Sequence, residues 1–210
     1  MIDSSAMEYL RIVGSQSMLY YGKMQEGHPR TTNHPYLNNG QCVKSRLSYC
    51  GVLYPEVLLR FDLSRNELIV QSPDFQHIVL FPENVDYAQL HDRTVIYFRH
   101  NNLPGCPSTG YYILLHSGDC KVFEKQNVTL LQKDFSPTKI ERHYVLSTTF
   151  YLYKDGVYHT VRTKRGLLKC LHPYGRELKQ FISANNLRFR NNIEDFLILT
   201  VREYEKLSGL

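Results

Sequence analysis

The stretch that decides the fold runs from Ser48 to Pro73 and reads SYCGVLYPEVLLRFDLSRNELIVQSP. Apolar and polar residues roughly alternate between Leu53 and Phe61, as in an antiparallel strand with one buried face. Pro55 has no N–H group, which predicts a position at a strand start or edge. The polar residues 64–66 predict a turn into a second strand, ELIVQ. So many Tyr, Leu and Phe side chains could line a ligand groove, but the alternation favours the wall of a β-rich core.

Short strands separated by turns continue on both sides of this hairpin. Strand-like runs begin near residues 41, 77 and 93, and two later hairpins turn at residues 117–119 and at Asp155–Gly156. The Asp-Gly pair supplies the positive φ angles of a type I′ turn. The polar segment 133–143, KDFSPTKIERH, predicts a long connection. Short strands at this spacing are typical of an all-β meander or barrel.

After Gly166 the apolar spacing changes to that of a helix. Two short helices are predicted, of which the first stops at Asn185 and Asn186 and the second is capped by Asn192. The sequence therefore predicts an α+β fold, mostly an antiparallel β meander or a partly closed barrel, with two short C-terminal helices. Three segments are expected: an extended, turn-rich N-terminal arm over residues 1–40, an antiparallel β-rich domain over 41–165, and a C-terminal helical cap over 166–210 packed on the same domain.

Two segments are not explained by the sheet. The turn-rich stretch from Gly14 to Gly40 predicts at most one short strand, near Met18 to Tyr21. The second segment, residues 101–110, is a loop by composition. Because binding residues are often carried on loops, these two segments are the preferred places to look for function.

The charge balance is mildly basic, with 25 Lys and Arg against 20 Asp and Glu, and a formal net charge of +5. The densest basic run is Arg162, Lys164, Arg165 and Lys169. Nucleic-acid-binding domains usually concentrate their charge more strongly. The run is therefore predicted to be a solvated face or strand end, and no nucleic-acid partner is expected.

Aromatic usage is uneven, with 16 Tyr, 10 Phe and no Trp. Tyr and Phe are strand formers, so a high β content explains most of this usage. Tyr also joins an apolar ring to a polar hydroxyl, which suits a wet binding surface. A Tyr-rich sheet face could stack on a glycan or hold a lipid. This hypothesis gives six candidate binding residues, which are Tyr20, Tyr21, Tyr36, Tyr111, Tyr112 and Tyr151.

No residue constellation in the sequence identifies a reaction. There is no G-x-S-x-G, no phosphate-binding glycine loop and no C-x-x-C pair. His28 and His34 do not have a recognised metal-ligand spacing, so no metal and no cofactor is predicted. No catalytic residue is predicted, and a Cys/His hydrolase is kept as an alternative. Asp62 stands out because it ends an apolar strand before a polar turn, and it is predicted to form an Asx-turn or to pair with Arg60 or Arg65.

The compartment is left open by the residues alone. No run is long enough to span a membrane and no signal peptide is visible. The polar start could be the mature end of an exported protein, and a cytoplasmic protein is the alternative. In an oxidising compartment two cysteine pairs that flank strand-like runs could form disulfides, with one thiol left over. These pairs are Cys42 with Cys50 and Cys106 with Cys120, and the fifth cysteine is Cys170.

Five segments in this order resemble a family of uncharacterised exported proteins of Bacteroidota, over a span from about Gly14 to Tyr204. They are GSQSMLYYGKMQEGHP, GVLYPEVLLRFDLSRNELIV, GYYILLHSGDCKVFEKQ, FYLYKDGVYHTVRTKRGLLKCL and FISANNLRFRNN. This chain departs from the family pattern in its five cysteines and in Phe61, where a Tyr is usual before the Asp.

The resemblance implies a periplasmic or outer-membrane-associated protein that accompanies receptor-like proteins of the TonB-dependent type. Peripheral or lipid-anchored association with the membrane fits such a role. The resemblance carries over no catalytic residue. The leading hypothesis is therefore a non-enzymatic cell-envelope accessory or binding protein, with a protein partner in an outer-membrane complex. A glycan- or lipid-binding protein is the second hypothesis.

Overall fold

The computed structural model describes residues 17–136 and 139–209. Eleven strands form an antiparallel sheet in the order β1-β5-β4-β3-β2-β6-β7-β8-β9-β10-β11. The strands are β1 (Lys23–Met24), β2 (Val43–Tyr49), β3 (Val52–Asp62), β4 (Glu67–Gln71), β5 (His77–Val79), β6 (Val85–Leu90), β7 (Arg93–Phe98), β8 (Gly110–Ser117), β9 (Lys121–Ser136), β10 (Lys139–Lys154) and β11 (Val157–Val161). The helices are α1 (Lys164–Cys170), α2 (Gly175–Ala184) and α3 (Ile193–Ser208).

The predicted α+β fold with an antiparallel β meander is confirmed. The alternative of a partly closed barrel is wrong, because the described strands end in an open sheet with β1 and β11 at its edges. A third helix, α1, joins the two predicted ones, and it starts where the Thr163 side chain accepts a hydrogen bond from the Gly166 N–H. The last helix is long, with 16 residues, and the predicted Asn192 cap is present.

Three local predictions differ from the structure. Residues 18–20 form a short 3₁₀ helix, and the strand of this region is β1 instead. The segment 133–143 belongs to β9 and β10 rather than to a long connection, and residues 137 and 138 lie outside the described part. Pro55 lies inside β3, opposite a register shift between Ser45 and Leu47 of β2, which removes the need for its N–H in the ladder.

The chain divides into two compact units. Unit 1 holds the described residues of 17–98, 110–112 and 126–148, and unit 2 holds those of 99–109, 113–125 and 149–209. Each unit therefore combines distant parts of the sequence, because β8, β9 and β10 contribute residues to both. The division into an arm, a β-rich domain and a cap stays a prediction.

The core of unit 1 explains the stretch on which the fold depends. Val57, Leu59 and Phe61 of β3 are each at most 5% exposed, and they alternate with more exposed neighbours. In β4, the residues Leu68–Val70 are fully buried. The hairpin of β3 and β4 is thus a wall of the core, as its alternation predicts.

Unit 2 has its own core, in which the helices pack on strands. Phe196, Leu197 and Val201 of α3 are buried together with Phe150 and Leu152 of β10. Both of the other helices add buried leucines to the same cluster. No helix of the described residues has the length and apolar character that a membrane span requires.

Candidate ligand-binding site

Residues 25–40, called the arm from here on, run along unit 1 and are hydrogen-bonded to it through their backbone. The Leu37 N–H donates to the Phe61 carbonyl at 2.9 Å, and the Leu63 N–H donates to the Pro35 carbonyl at 2.9 Å. Further along, the Thr32 N–H donates to the carbonyl of Arg142 in β10 at 3.0 Å. These bonds make the arm an ordered part of unit 1, fixed on both β3 and β10.

Asp62, the last residue of β3, is fully buried and organises the turn that follows it. Its Oδ1 accepts hydrogen bonds from the backbone N–H groups of Ser64 and Arg65 at 3.0 and 3.1 Å, and from the Ser64 hydroxyl at 2.9 Å. The predicted Asx-turn is therefore confirmed. The predicted alternative, a pair with Arg60 or Arg65, is wrong, since their guanidinium groups bind Gln25, Glu26 and Gly27 of the arm.

The partner of the Asp62 carboxylate is His28 of the arm, whose Nε2 lies 2.5 Å from Oδ2. The other ring nitrogen, Nδ1, lies 2.9 Å from the hydroxyl of Tyr144 in β10. Because a carboxylate only accepts hydrogen bonds, Nε2–H is the donor to Asp62. In the neutral ring, Nδ1 then accepts a hydrogen bond that the Tyr144 hydroxyl donates. Both nitrogens of His28 are thus used inside the protein, so this network fastens the arm and leaves no ring nitrogen for a substrate.

Tyr36 is held in the arm by a second network. The Arg60 guanidinium lies over its ring, 4.4 Å from the centroid, and Gln25 Nε2 donates to its hydroxyl at 3.1 Å. Arg60 also donates to the Gln25 side-chain oxygen. The His34 ring stacks with Tyr36 at a centroid distance of 6.1 Å. Such a cation–π contact adds to the hydrogen bonds that fix the ring.

Asn33 joins the arm to Tyr144 through the backbone of that residue. Its Oδ1 accepts from the Tyr144 N–H at 2.7 Å, and its Nδ2 donates to the Tyr144 carbonyl at 2.8 Å. This bidentate contact imitates the pairing of a β-strand. The arm is therefore positioned by polar contacts on either side of His34 and Tyr36.

A cavity of about 360 Å³ lies between the arm and the strands of unit 1. A volume of this size is at the lower end of the range for small-molecule sites. Among the described residues, the lining combines rings, side-chain amides, aliphatic groups and one guanidinium, and it includes no carboxylate and no thiol. The lining residues are Asn33, His34, Tyr36, Leu37, Asn38, Leu63, Arg93, Gln126, Val128, Tyr144 and Leu146.

Of the six tyrosines predicted to bind a ligand, Tyr36 lines this cavity. Tyr111 and Tyr112 are only 1% and 2% exposed, so a ligand on the sheet surface does not reach their rings. Tyr20 and Tyr151 are half-buried, and Tyr21 is exposed; Tyr151 belongs to unit 2 and the other five to unit 1. The prediction that these six residues bind a ligand stays a prediction.

Sequence reasoning missed most of the cavity. Arg93, Gln126 and Val128 come from strands with no distinguishing motif, and they meet the arm only in three dimensions. The available signal was the turn-rich composition of residues 14–40, which already marked this segment as unexplained by the sheet. Five of the lining residues, 33, 34 and 36–38, belong to the arm.

Three of the five cysteines lie in surroundings that disfavour the thiolate. All five are free thiols, so neither of the two possible disulfides is present. Burial raises the pKa of Cys120 to about 11, and burial also raises the pKa of Cys42 and Cys170. A raised pKa leaves little thiolate at neutral pH, and the thiolate is the reactive form. Within the described residues, no group of three His, Cys, Asp or Glu side chains is arranged to hold a metal ion.

Lys125 of β9 makes the stability of unit 2 depend on pH. The Lys125 residue is 7% exposed, and burial lowers its pKa to about 8. Between pH 8 and the usual Lys pKa of about 10.4, the unfolded chain binds more protons at this residue than the folded chain, so stability rises with pH in this window. In Lys125→Met this rise is absent. Urea titrations at pH 7 and pH 10 measure the free energy of unfolding of the wild type and of the variant. We expect the difference between the two proteins to grow by about 1–2 kcal/mol over this range, which is less than the whole pKa shift would give because the side chain is partly solvated. A difference that stays constant with pH would contradict the assignment.

Comparison of the chain with protein-family models, with curated proteins and with solved structures finds no match.

Proposed function

We propose that the protein is a non-enzymatic binding protein, that the cavity of unit 1 is its ligand site, and that the ligand is a glycan. The observation that supports this proposal is the chemistry of the lining, in which the described residues place amides and a guanidinium beside aliphatic groups and rings, with no carboxylate among them. Sugar rings need both kinds of surface, because their hydroxyls exchange hydrogen bonds and their C–H faces pack on apolar groups.

The polar groups are distributed around the cavity in a way that suits several hydroxyls. Asn38 comes from the arm, Arg93 from the start of β7 and Gln126 from β9. Leu37, Val128 and Leu146 supply apolar surface between them. An acyl chain fits this lining less well, because it would remove water from the exposed Asn38 amide without replacing the hydrogen bonds of that water.

The lining supports binding rather than catalysis. Of the described lining residues, His34 alone carries an imidazole, and no carboxylate or thiol among them accompanies that ring. Covalent catalysis needs a nucleophile within hydrogen-bond reach of such a base. Tyr144 also lines the cavity, but its hydroxyl is bonded to His28.

An envelope location and a role as an accessory subunit of an outer-membrane receptor-like protein belong to the same proposal. They are supported by the resemblance of the five sequence segments to exported proteins. The exposed Leu131 of β9 and Val145 of β10, at 46% and 41% exposure, offer apolar surface for a protein partner in unit 1. Fractionation of cells into cytoplasm, periplasm and membranes tests the location directly.

Calorimetric titration with a panel of neutral and acidic mono- and disaccharides tests the ligand class. For the sugar that binds, we expect Asn38→Gly and His34→Ala each to weaken the affinity about three- to tenfold, the effect of losing one hydrogen bond or one packing contact. Glycine is chosen at position 38 because Asn38 has a φ of +55°, which glycine adopts without strain.

The matched control is Asn39→Gly, which removes the neighbouring exposed amide that does not line the cavity. Its affinity is expected to stay within twofold of the wild type. The proposal fails if no sugar of the panel binds at millimolar concentration, or if the control weakens binding as much as the two cavity variants do.

A further inference from the structure

Helices α1 and α2 of unit 2 flank a groove of about 570 Å³ that is independent of the unit 1 cavity. Four of its six lining residues are cations, and none is an acid. The lining residues are Lys164, Arg165, Leu168, Lys169, Gly175 and Lys179. Leu168 is 9% exposed, so its side chain forms an apolar floor beneath the charged groups.

The four cations of this groove have no acidic partner in the described residues. The ion pairs found there involve other Lys, Arg and His side chains. All four charged residues are also exposed. The groove therefore presents four positive charges that the described part of the protein does not neutralise.

The arrangement on α1 goes against the preferences of a helix. Arg165 and Lys169 are four residues apart, so they are neighbours on the helix surface, and like charges at this spacing destabilise it. The helix has only seven residues to offset this repulsion. Unfavourable local arrangements such as this pair of like charges are expected where a function requires them. An anion bound between Arg165 and Lys169 would attract both side chains and so offset their repulsion.

We propose that this groove binds the phosphate headgroup of an anionic phospholipid at a membrane surface. The four cations supply the attraction for phosphate, and each Lys or Arg near an anionic surface strengthens binding about fivefold. Leu168 and the aliphatic stems of the lysines supply apolar surface for the part of the lipid next to the phosphate. The run was predicted from the sequence to be a solvated face; the groove and the contribution of Lys179 from α2 became visible only in the fold.

Co-sedimentation with lipid vesicles tests this proposal. We expect the wild type to bind vesicles that contain phosphatidylglycerol and not vesicles of phosphatidylcholine alone, with binding that weakens as salt is added. The double variant Lys164→Gln/Lys169→Gln is expected to bind the anionic vesicles at least tenfold more weakly, since each lysine near such a surface accounts for about a fivefold change.

The matched control is Lys121→Gln/Lys206→Gln, which removes the same charge from exposed positions of unit 2 outside the groove. It is expected to stay within threefold of the wild type. Inorganic phosphate and duplex DNA are tested as competitors. The proposal is overturned if the two double variants bind alike, if inorganic phosphate displaces the protein from the vesicles at an ionic strength at which chloride does not, or if DNA binds more tightly than the vesicles do. Sugar binding in the unit 1 cavity is unaffected by either result, so the two proposals fail separately.

Discussion

Replacing Asp62 with Ala is expected to lower the free energy of unfolding by about 3–5 kcal/mol, because several hydrogen-bond donors lose their acceptor at once. The carboxylate is fully buried and accepts hydrogen bonds from the backbone N–H groups of Ser64 and Arg65. It also accepts from the ring of His28. The variant removes the acceptor of all these part-buried donors, and a donor left without an acceptor costs about 1–3 kcal/mol.

Asp86→Ala is the matched control for this prediction. Asp86 is an exposed carboxylate of the same unit, which accepts hydrogen bonds from the Ser48 hydroxyl at 2.7 Å and from the Gly51 N–H at 3.2 Å. Water can replace the lost acceptor there, so we expect a loss below about 1 kcal/mol. Urea unfolding at neutral pH compares the two variants. Equal losses would show that burial of Asp62 does not determine its contribution.

Phe196→Ala is expected to lower the free energy of unfolding of unit 2 by about 3–5 kcal/mol. The side chain is 1% exposed in the core that α3 shares with strands β9–β11. It also meets the Phe189 ring edge to face, at a centroid distance of 5.3 Å. Truncation removes the buried ring and leaves a cavity, and the surrounding helices and strands can refill it only in part.

Leu199→Ala tests the same helix on its exposed side. Leu199 is 38% exposed, so its truncation removes less buried apolar surface and opens no cavity. We expect a loss below about 1 kcal/mol, measured as the shift of the urea midpoint with an unchanged slope. If Phe196→Ala were no more destabilising than this control, the result would contradict the burial of Phe196 in the core of unit 2.

The elements that are predictable from the sequence are those in which the preferences of neighbouring residues and the pattern of burial favour the same structure. The β3–β4 hairpin alternates because one face of β3 is buried, and the Asp155–Gly156 turn has the two positive φ angles, +50° and +79°, that its sequence demands. The cap of α3 at Asn192 follows from a side-chain hydrogen bond to the Asp195 N–H. In each case a few neighbouring residues determine the structure.

The outer parts of β9 and β10 were missed because they lack this agreement. Apolar residues are sparse in the segment 133–143, KDFSPTKIERH, so no alternation of apolar and polar residues develops along it. Without such an alternation, a strand has no period of two to detect. The polar composition was therefore interpreted as a connection.

The site was missed for a different reason, since it depends on contacts between distant residues. His28 meets Asp62 across 34 positions of the sequence and Tyr144 across 116. Composition also cannot distinguish a buried tyrosine such as Tyr111 from Tyr36, which lines the cavity. The turn-rich composition of residues 14–40 marks this segment as unusual, but it does not predict which residues contact its histidines.

The cavity requires the arm to stay on the sheet, where His28 fastens it together with the other contacts, and amide hydrogen exchange measures the contribution of His28 most directly. The amides of Thr32 and Leu37 donate to β10 and β3, so in the wild type we expect them to be protected. In His28→Ala we expect both to exchange at least tenfold faster relative to the amides of β4, because the arm opens locally while the central strands stay paired. Wild-type protection of Thr32 and Leu37 in this variant, or no protection in the wild type, would contradict an arm that is fastened through Asp62.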